Sequence, residues 1–119
     1  EDERLKEVNF GVLEGLPCSF VDTLHLESTN WLEDLKMDYT SYQGENIDDV
    51  IIRQQEVLKE IEKISNEEDC IVVVGHGCSL YALIKTILKD EKITFPGNAS
   101  AYILCKKNNE YKLEKYLRP

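Results

Sequence analysis

The 119-residue chain is poor in arginine and histidine. It holds three arginines, Arg4, Arg53 and Arg118, and two histidines, His25 and His76. A site that grips an anion through guanidinium groups therefore has little to draw on. No apolar run approaches the ~20 residues of a membrane-spanning helix, and the opening EDERLKEVNF is not a signal peptide. The four cysteines, at positions 18, 70, 78 and 105, show no C-x-x-C spacing. With no close His or Cys pairs either, a zinc site is excluded and no metal or cofactor is expected. Reduced, structural cysteines in a cytoplasmic protein are the expectation, with Cys70 and Cys105 in buried strands. The NAS at 98–100 matches a glycosylation sequon, but without a secretory signal it is not read as one. The chain also opens without Met, so its first residue is not expected to be the natural start.

Acidic residues, in contrast, are plentiful: 23 Asp and Glu against 14 Lys and Arg give a net charge of −9. That balance disfavours nucleic acid and anionic membrane surfaces as partners. It leaves room for a small anionic substrate, because a pocket's field depends on a few placed groups. The length and the 42% apolar content suit one soluble domain.

From 46 to 66 the apolar residues Ile47, Val50, Ile51, Val57, Leu58, Ile61 and Ile64 predict a long helix with one buried stripe. Asn46 is its natural N-cap, with Asp49 three residues on. CIVVV, at 70–74, lacks polar alternation, as a central parallel strand covered on both faces requires. Leu80, Leu83, Ile84, Ile87 and Leu88 follow at helical spacing and predict a second helix over 79–89. ASAYILCK (99–106) and EYKLEKYL (110–117) read as strands joined by a turn at Asn108 and Asn109. Residues 17–43 carry Phe20, Trp31, Met37, Tyr39 and Tyr42 with weak periodicity and read as a lid or binding insert. The order of elements is α/β. Two strands and an edge strand make a poor sheet for two long helices, however, so the sheet is expected to be incomplete.

His76 lies between Gly75 and Gly77, where a strand runs into a helix. Ligands in open α/β sheets gather at such carboxyl ends, and a helix N-terminus offers free N–H groups to an anion. On local pattern alone two readings stay open: His76 binds an oxyanion, or it caps a tight corner. His25 has no such setting and reads as lid surface or packing. Other chemistries fail on detail. Cys78 as a phosphatase nucleophile wants an Arg where Ile84 stands. GHGCSL has Leu in place of the third glycine of a dinucleotide loop, and Ser79 lacks the glycines of a nucleophile elbow.

Three ordered segments, RLKEVNFGVLEGL (4–16), GENIDDVIIR (44–53) and IVVVGHG (71–77), together with PGNAS (96–100), resemble the histidine phosphatase superfamily, the phosphoglycerate-mutase-like group. The resemblance covers most of the chain, and the form LKEVNFGVLEG looks more like its phosphatase branch. It implies that Glu7 is the general acid, which without the resemblance reads as an exposed charge in an acidic stretch. It also implies that His76 binds the transferring phosphoryl group, with Gly77 and Asn98 as substrate-binding positions. Glu14 and Arg53 are expected to be structural.

The departures are equally specific: GEN stands where the family has GES, and neither the R-H-G motif with the nucleophilic His nor a second phosphate-binding Arg is present. The chain therefore resembles the C-terminal portion of a single such domain. Its expected fold is a three-layer α/β/α arrangement with a mainly parallel sheet, incomplete here. The expected function is that of a phosphomonoester hydrolase working through phosphohistidine in its complete form, with the 119 residues alone inactive. The alternatives are a non-catalytic half-domain used for partner binding or self-association, a mutase-type phosphotransferase, and an unrelated anion-binding α/β domain. The expected partners are a small phosphorylated substrate or phosphate and a second copy of the chain.

Overall fold

The computed structural model describes residues 1–26, 34–89 and 92–119. Trp31, part of the expected insert, lies outside the described residues. A short helix α1 (Cys18–Val21) precedes the two main helices, α2 (Ile47–Ile64) and α3 (Gly77–Leu88), and a hairpin of β1 (Ala101–Lys107) and β2 (Glu110–Leu117) ends the chain.

Helix α2 begins where Asn46 accepts a hydrogen bond from the Asp49 N–H at 2.9 Å. Asp48 and Asp49 in its first turn and Lys63 in its last complement the helix dipole. Ile47, Val50 and Val57 of the expected stripe are buried, with Gln54 among them, while Ile64 at the helix end is exposed. Helix α3 starts two residues earlier than expected, at Gly77, and buries Tyr81, Ala82, Leu83 and Ile84 in succession. A helix buried around most of its circumference is a core element, and α3 packs against α2.

The hairpin turns at Asn108 and Asn109, with φ of 51° and 62°. Two consecutive left-handed residues give the tight turn whose twist suits paired strands, and Asn tolerates that region better than most residues. The strands are antiparallel, with an irregularity between Ile103 and Leu104. Glu62 of α2 ties the hairpin down by an ion pair to Lys106 at 2.8 Å and a hydrogen bond from the Tyr111 hydroxyl.

The expected central parallel strand does not pair. Among the described residues the only sheet is the two-stranded hairpin, so the elements are those of an α/β protein without a parallel sheet. Residues 71–74 are 46%, 81%, 37% and 79% exposed. The physical reason lies in the strand's own composition. Side chains that are apolar on both faces need a neighbouring strand on each edge and a layer above and below. Here neither edge is filled. Cys70, expected to be buried, is exposed for the same reason.

The N-terminal third, by contrast, belongs to the core. Val8 and Leu13 pack with Met37, Tyr39, Ile47, Val50 and Ala82, and Phe10 meets Tyr39 edge-on at 4.9 Å. Met37 and Tyr39, placed by sequence in the insert, are thus core residues, while Phe20 is exposed. Two glycines allow the backbones at 9–11 and 42–44 to press together. A Cβ on Gly11, whose φ is +62°, would lie 2.0 Å from the Tyr42 carbonyl oxygen; one on Gly44 would lie 2.5 Å from that of Asn9. Gly15 has φ of +78° but open space around it.

Gly11→Ala and Gly15→Ala therefore separate steric from conformational cost. Urea denaturation is expected to show a loss of about 1 kcal/mol for Gly15→Ala, the penalty of a left-handed Ala. Gly11→Ala, which adds a backbone collision, should lose roughly 3 kcal/mol or more.

Candidate active site

Glu7 lies in the segment between two short helical turns, Glu3–Leu5 and Gly11–Leu13. Its carboxylate reaches the start of α3. Oε1 accepts from the Ser79 N–H at 2.8 Å and Oε2 from the Cys78 N–H at 3.1 Å. The opening N–H groups of a helix have no partners within it and carry partial positive charge, so a carboxylate is well matched to them. His76 is the residue just before that helix, in extended backbone, and its side chain makes no capping bond. Ser79, fully buried, turns its hydroxyl back toward the His76 carbonyl at 3.5 Å. Glu7 and His76 are therefore neighbours at one helix end although 69 residues separate them in sequence.

A single guanidinium holds the segment that carries Glu7. Arg53, projecting from α2, donates from Nη1 to the carbonyls of Arg4 at 2.5 Å and Lys6 at 2.9 Å, and from Nη2 to that of Glu7 at 3.0 Å. Its Nε and Nη2 also donate to the two oxygens of Glu45, at 2.8 and 3.0 Å. Glu45 in turn accepts from the Asn9 N–H at 2.9 Å, and its own N–H donates to the Asn9 carbonyl at 2.8 Å. Burial pushes the Glu45 carboxyl up, but the hydrogen bonds from Arg53 and Asn9 outweigh it and hold the group below its ordinary value. Arg4, one turn earlier, joins α2 through Glu60 at 2.7 Å and also binds Asp2. That pairing lowers the Asp2 carboxyl to about 2.

The remaining expected site residues lie along the same end of the molecule. A Cβ on Gly77 would sit 3.5 Å from the ring of Phe95, and Phe95 lines a groove with Asn98. His25 is apart, at the end of a short turn in left-handed backbone. Glu14 stays local, accepting from the Phe10 N–H at 3.0 Å. Among the described residues no group of three His, Cys, Asp or Glu side chains could hold a metal ion. No helix of the described residues is long and apolar enough to cross a membrane. Arg53, expected to be structural from the resemblance, is the organiser of the Glu7 segment, though nothing in its spacing from Glu45 points to the carbonyls of residues 4–7.

The clamp carries a pH signature. Because the Glu45 carboxyl is depressed in the folded state, its contribution is complete above the ordinary value of 4.5 and is lost as pH falls through the lower folded value. Arg53→Met is expected to cost roughly 2 kcal/mol at pH 7, typical of losing hydrogen bonds to a charged group. The gap to the wild type should narrow, without closing, as pH drops below 4.5 in urea titrations.

The profile of the Histidine phosphatase superfamily (branch 1) matches residues 1–117. Comparison with curated proteins and with solved structures found no match. With nearly the whole chain covered by that one profile, the protein belongs to the histidine phosphatase superfamily.

Proposed function

We propose that the protein, in its complete form, is a phosphomonoester hydrolase that works through a phosphohistidine intermediate. The observation that carries this reading is the meeting of the Glu7 carboxylate with the α3 N-terminus beside His76. Phosphoryl transfer needs donors around the equatorial oxygens and an acid facing the departing oxygen. His76 and the opening N–H groups of α3 would supply donors, and Glu7 the proton. The amides now bonded to Glu7 are suited to a phosphoryl oxygen, so substrate entry would exchange one anion for another at the helix end. Glu7 would then be free to face the leaving group. Gly77 and Asn98 are the proposed contacts to the substrate beyond the phosphoryl group. Membership of the superfamily fits this chemistry and its mutase variant alike, and the phosphatase-like form of LKEVNFGVLEG favours hydrolysis.

On this reading the 119 residues form the C-terminal portion of one domain. The nucleophilic His would come from a strand ending in R-H-G that pairs beside residues 71–74 and completes a parallel, three-layer arrangement. The remainder of the 17–43 segment would serve as the insert over the site. The four exposed apolar residues of 71–74 also favour a second reading, a half-domain that associates through this strand with another copy or partner.

An assay on p-nitrophenyl phosphate distinguishes the two. The 119-residue chain is expected to show no turnover, and extension with an R-H-G-bearing strand is expected to produce it. Turnover by the 119 residues alone would refute the assignment of roles. An extended chain that folds with 71–74 paired and still hydrolyses nothing would leave the half-domain reading in its place.

A further inference from the structure

Beyond the helix end, Phe95 forms the wall between Gly77 and a groove of about 370 Å³ lined by Phe95, Gly97, Asn98, Ser100, Tyr116 and Arg118. That size lies at the lower end of the range for small-molecule sites. Its chemistry is unusual for so acidic a chain. The Gly97 N–H donates to the Tyr116 hydroxyl oxygen at 3.2 Å, and the Arg118 guanidinium lies 5.2 Å from the Tyr116 ring centre. The Ser100 hydroxyl donates to the Gly97 carbonyl at 2.7 Å, and the nearness of Ser100, the Gly97 N–H and the charge of Arg118 hold the Tyr116 hydroxyl below its ordinary value. Tyr102, stacked on the same ring at 4.7 Å, is pushed up to about 12 by burial and by its tyrosine neighbours.

The other two arginines are committed to carboxylates, Arg4 to Asp2 and Glu60 and Arg53 to Glu45. Arg118 has no carboxylate partner among the described residues. It also falls outside residues 1–117, which the family profile covers. A guanidinium that can turn toward an anion, the Gly97 N–H and the Ser100 hydroxyl at the groove's edge, and the partly exposed ring of Phe95 beside them make a matched set.

We propose that this groove binds an oxyanion carried on a flat ring, with Arg118, Ser100 and the Gly97 N–H holding the charge and Phe95 the ring. The inference rests on the hydrolase reading in one respect: there the groove would seat the leaving group, and the substrate class would be phosphomonoesters of ring compounds bearing a second acidic group. Phe95, touching both Gly77 and the groove, sets the two ends side by side.

Sodium benzoate is the probe, titrated into the ¹⁵N-labelled 119-residue chain. The amides of Gly97, Ser100 and Arg118 are expected to shift saturably, with Kd on the order of millimolar for so small a ligand. Arg118→Gln, a change at an exposed position, should weaken binding about tenfold, as loss of a charged hydrogen bond does. Tyr116→Phe keeps the ring and frees the donors, so binding should be retained or tightened. Absence of saturable shifts at these three amides, equal affinity in Arg118→Gln, or equal binding of uncharged benzyl alcohol would each overturn the proposal. Hydrolysis by the completed chain without benzoate binding would sink the groove alone. Benzoate binding without hydrolysis would sink the hydrolase reading alone.

Discussion

One planar cation organises the N-terminal part of the structure. The Arg53 guanidinium binds the carbonyls of Arg4, Lys6 and Glu7 on one side and the Glu45 carboxylate on the other. A lysine could not replace it, because its single ammonium cannot present a flat fork of donors to a carboxylate and to three backbone oxygens together. Through Arg53 the rigidity of an 18-residue helix is passed to an otherwise irregular strand of chain. The Glu7 side chain can then reach the amides of Cys78 and Ser79 from a fixed backbone. The GEN segment and the LKEVNFG segment, 33 residues apart at their nearest, thus form one structural unit.

That unit explains the chemistry of its glycines. Gly11 and Gly44 lie where two irregular backbones touch, and in each case a Cβ would enter the other chain segment. Glu45, next to Gly44, can bond to both polar groups of Asn9 only because the backbones come so close. Removing the side chain at 44 is therefore what allows the side chain at 45 to act. The clamp, the glycines and the position of Glu7 depend on one another, and the core residues Val8, Tyr39 and Val50 hold the unit from within.

The helices and the hairpin were legible in the sequence because local signals decide them. Asn46 caps, the stripe from Ile47 to Val57 repeats at helical spacing, and Asn108 with Asn109 suits a left-handed turn. The N-terminal third was less legible. Residues 1–16 have no period because they bind through backbone carbonyls and single side chains, and no hydrophobic pattern records an Arg53-to-carbonyl bond. Met37 and Tyr39 look like insert residues in sequence, yet they enter the core through an isolated bridge between Asp38 and Asn46. At the site, the glycine-flanked corner marked His76 as a place where a helix begins. Its neighbour Glu7 was legible only through the resemblance, since an acidic run hides a carboxylate that reaches a helix end among solvated ones.

The failure of 70–74 to pair is informative about where the site's stability resides. Its composition demands a sheet, and the structure leaves its side chains in solvent. Even so, the α3 N-terminus immediately after it is well formed, because Glu7 satisfies the helix amides from the other direction. Helix α3 itself is buried against α2 and the N-terminal unit rather than suspended from the strand. The contact between Glu7 and the α3 N-terminus is thus assembled by helices and the Arg53 clamp, independently of the sheet. What the sheet would add is on the opposite side of His76: a fixed carboxyl end of the strand and a neighbour at its edge. In the proposed complete domain the two halves of the site would be held by different forces, charged hydrogen bonds on one side and apolar strand burial on the other. They can accordingly be lost or gained separately.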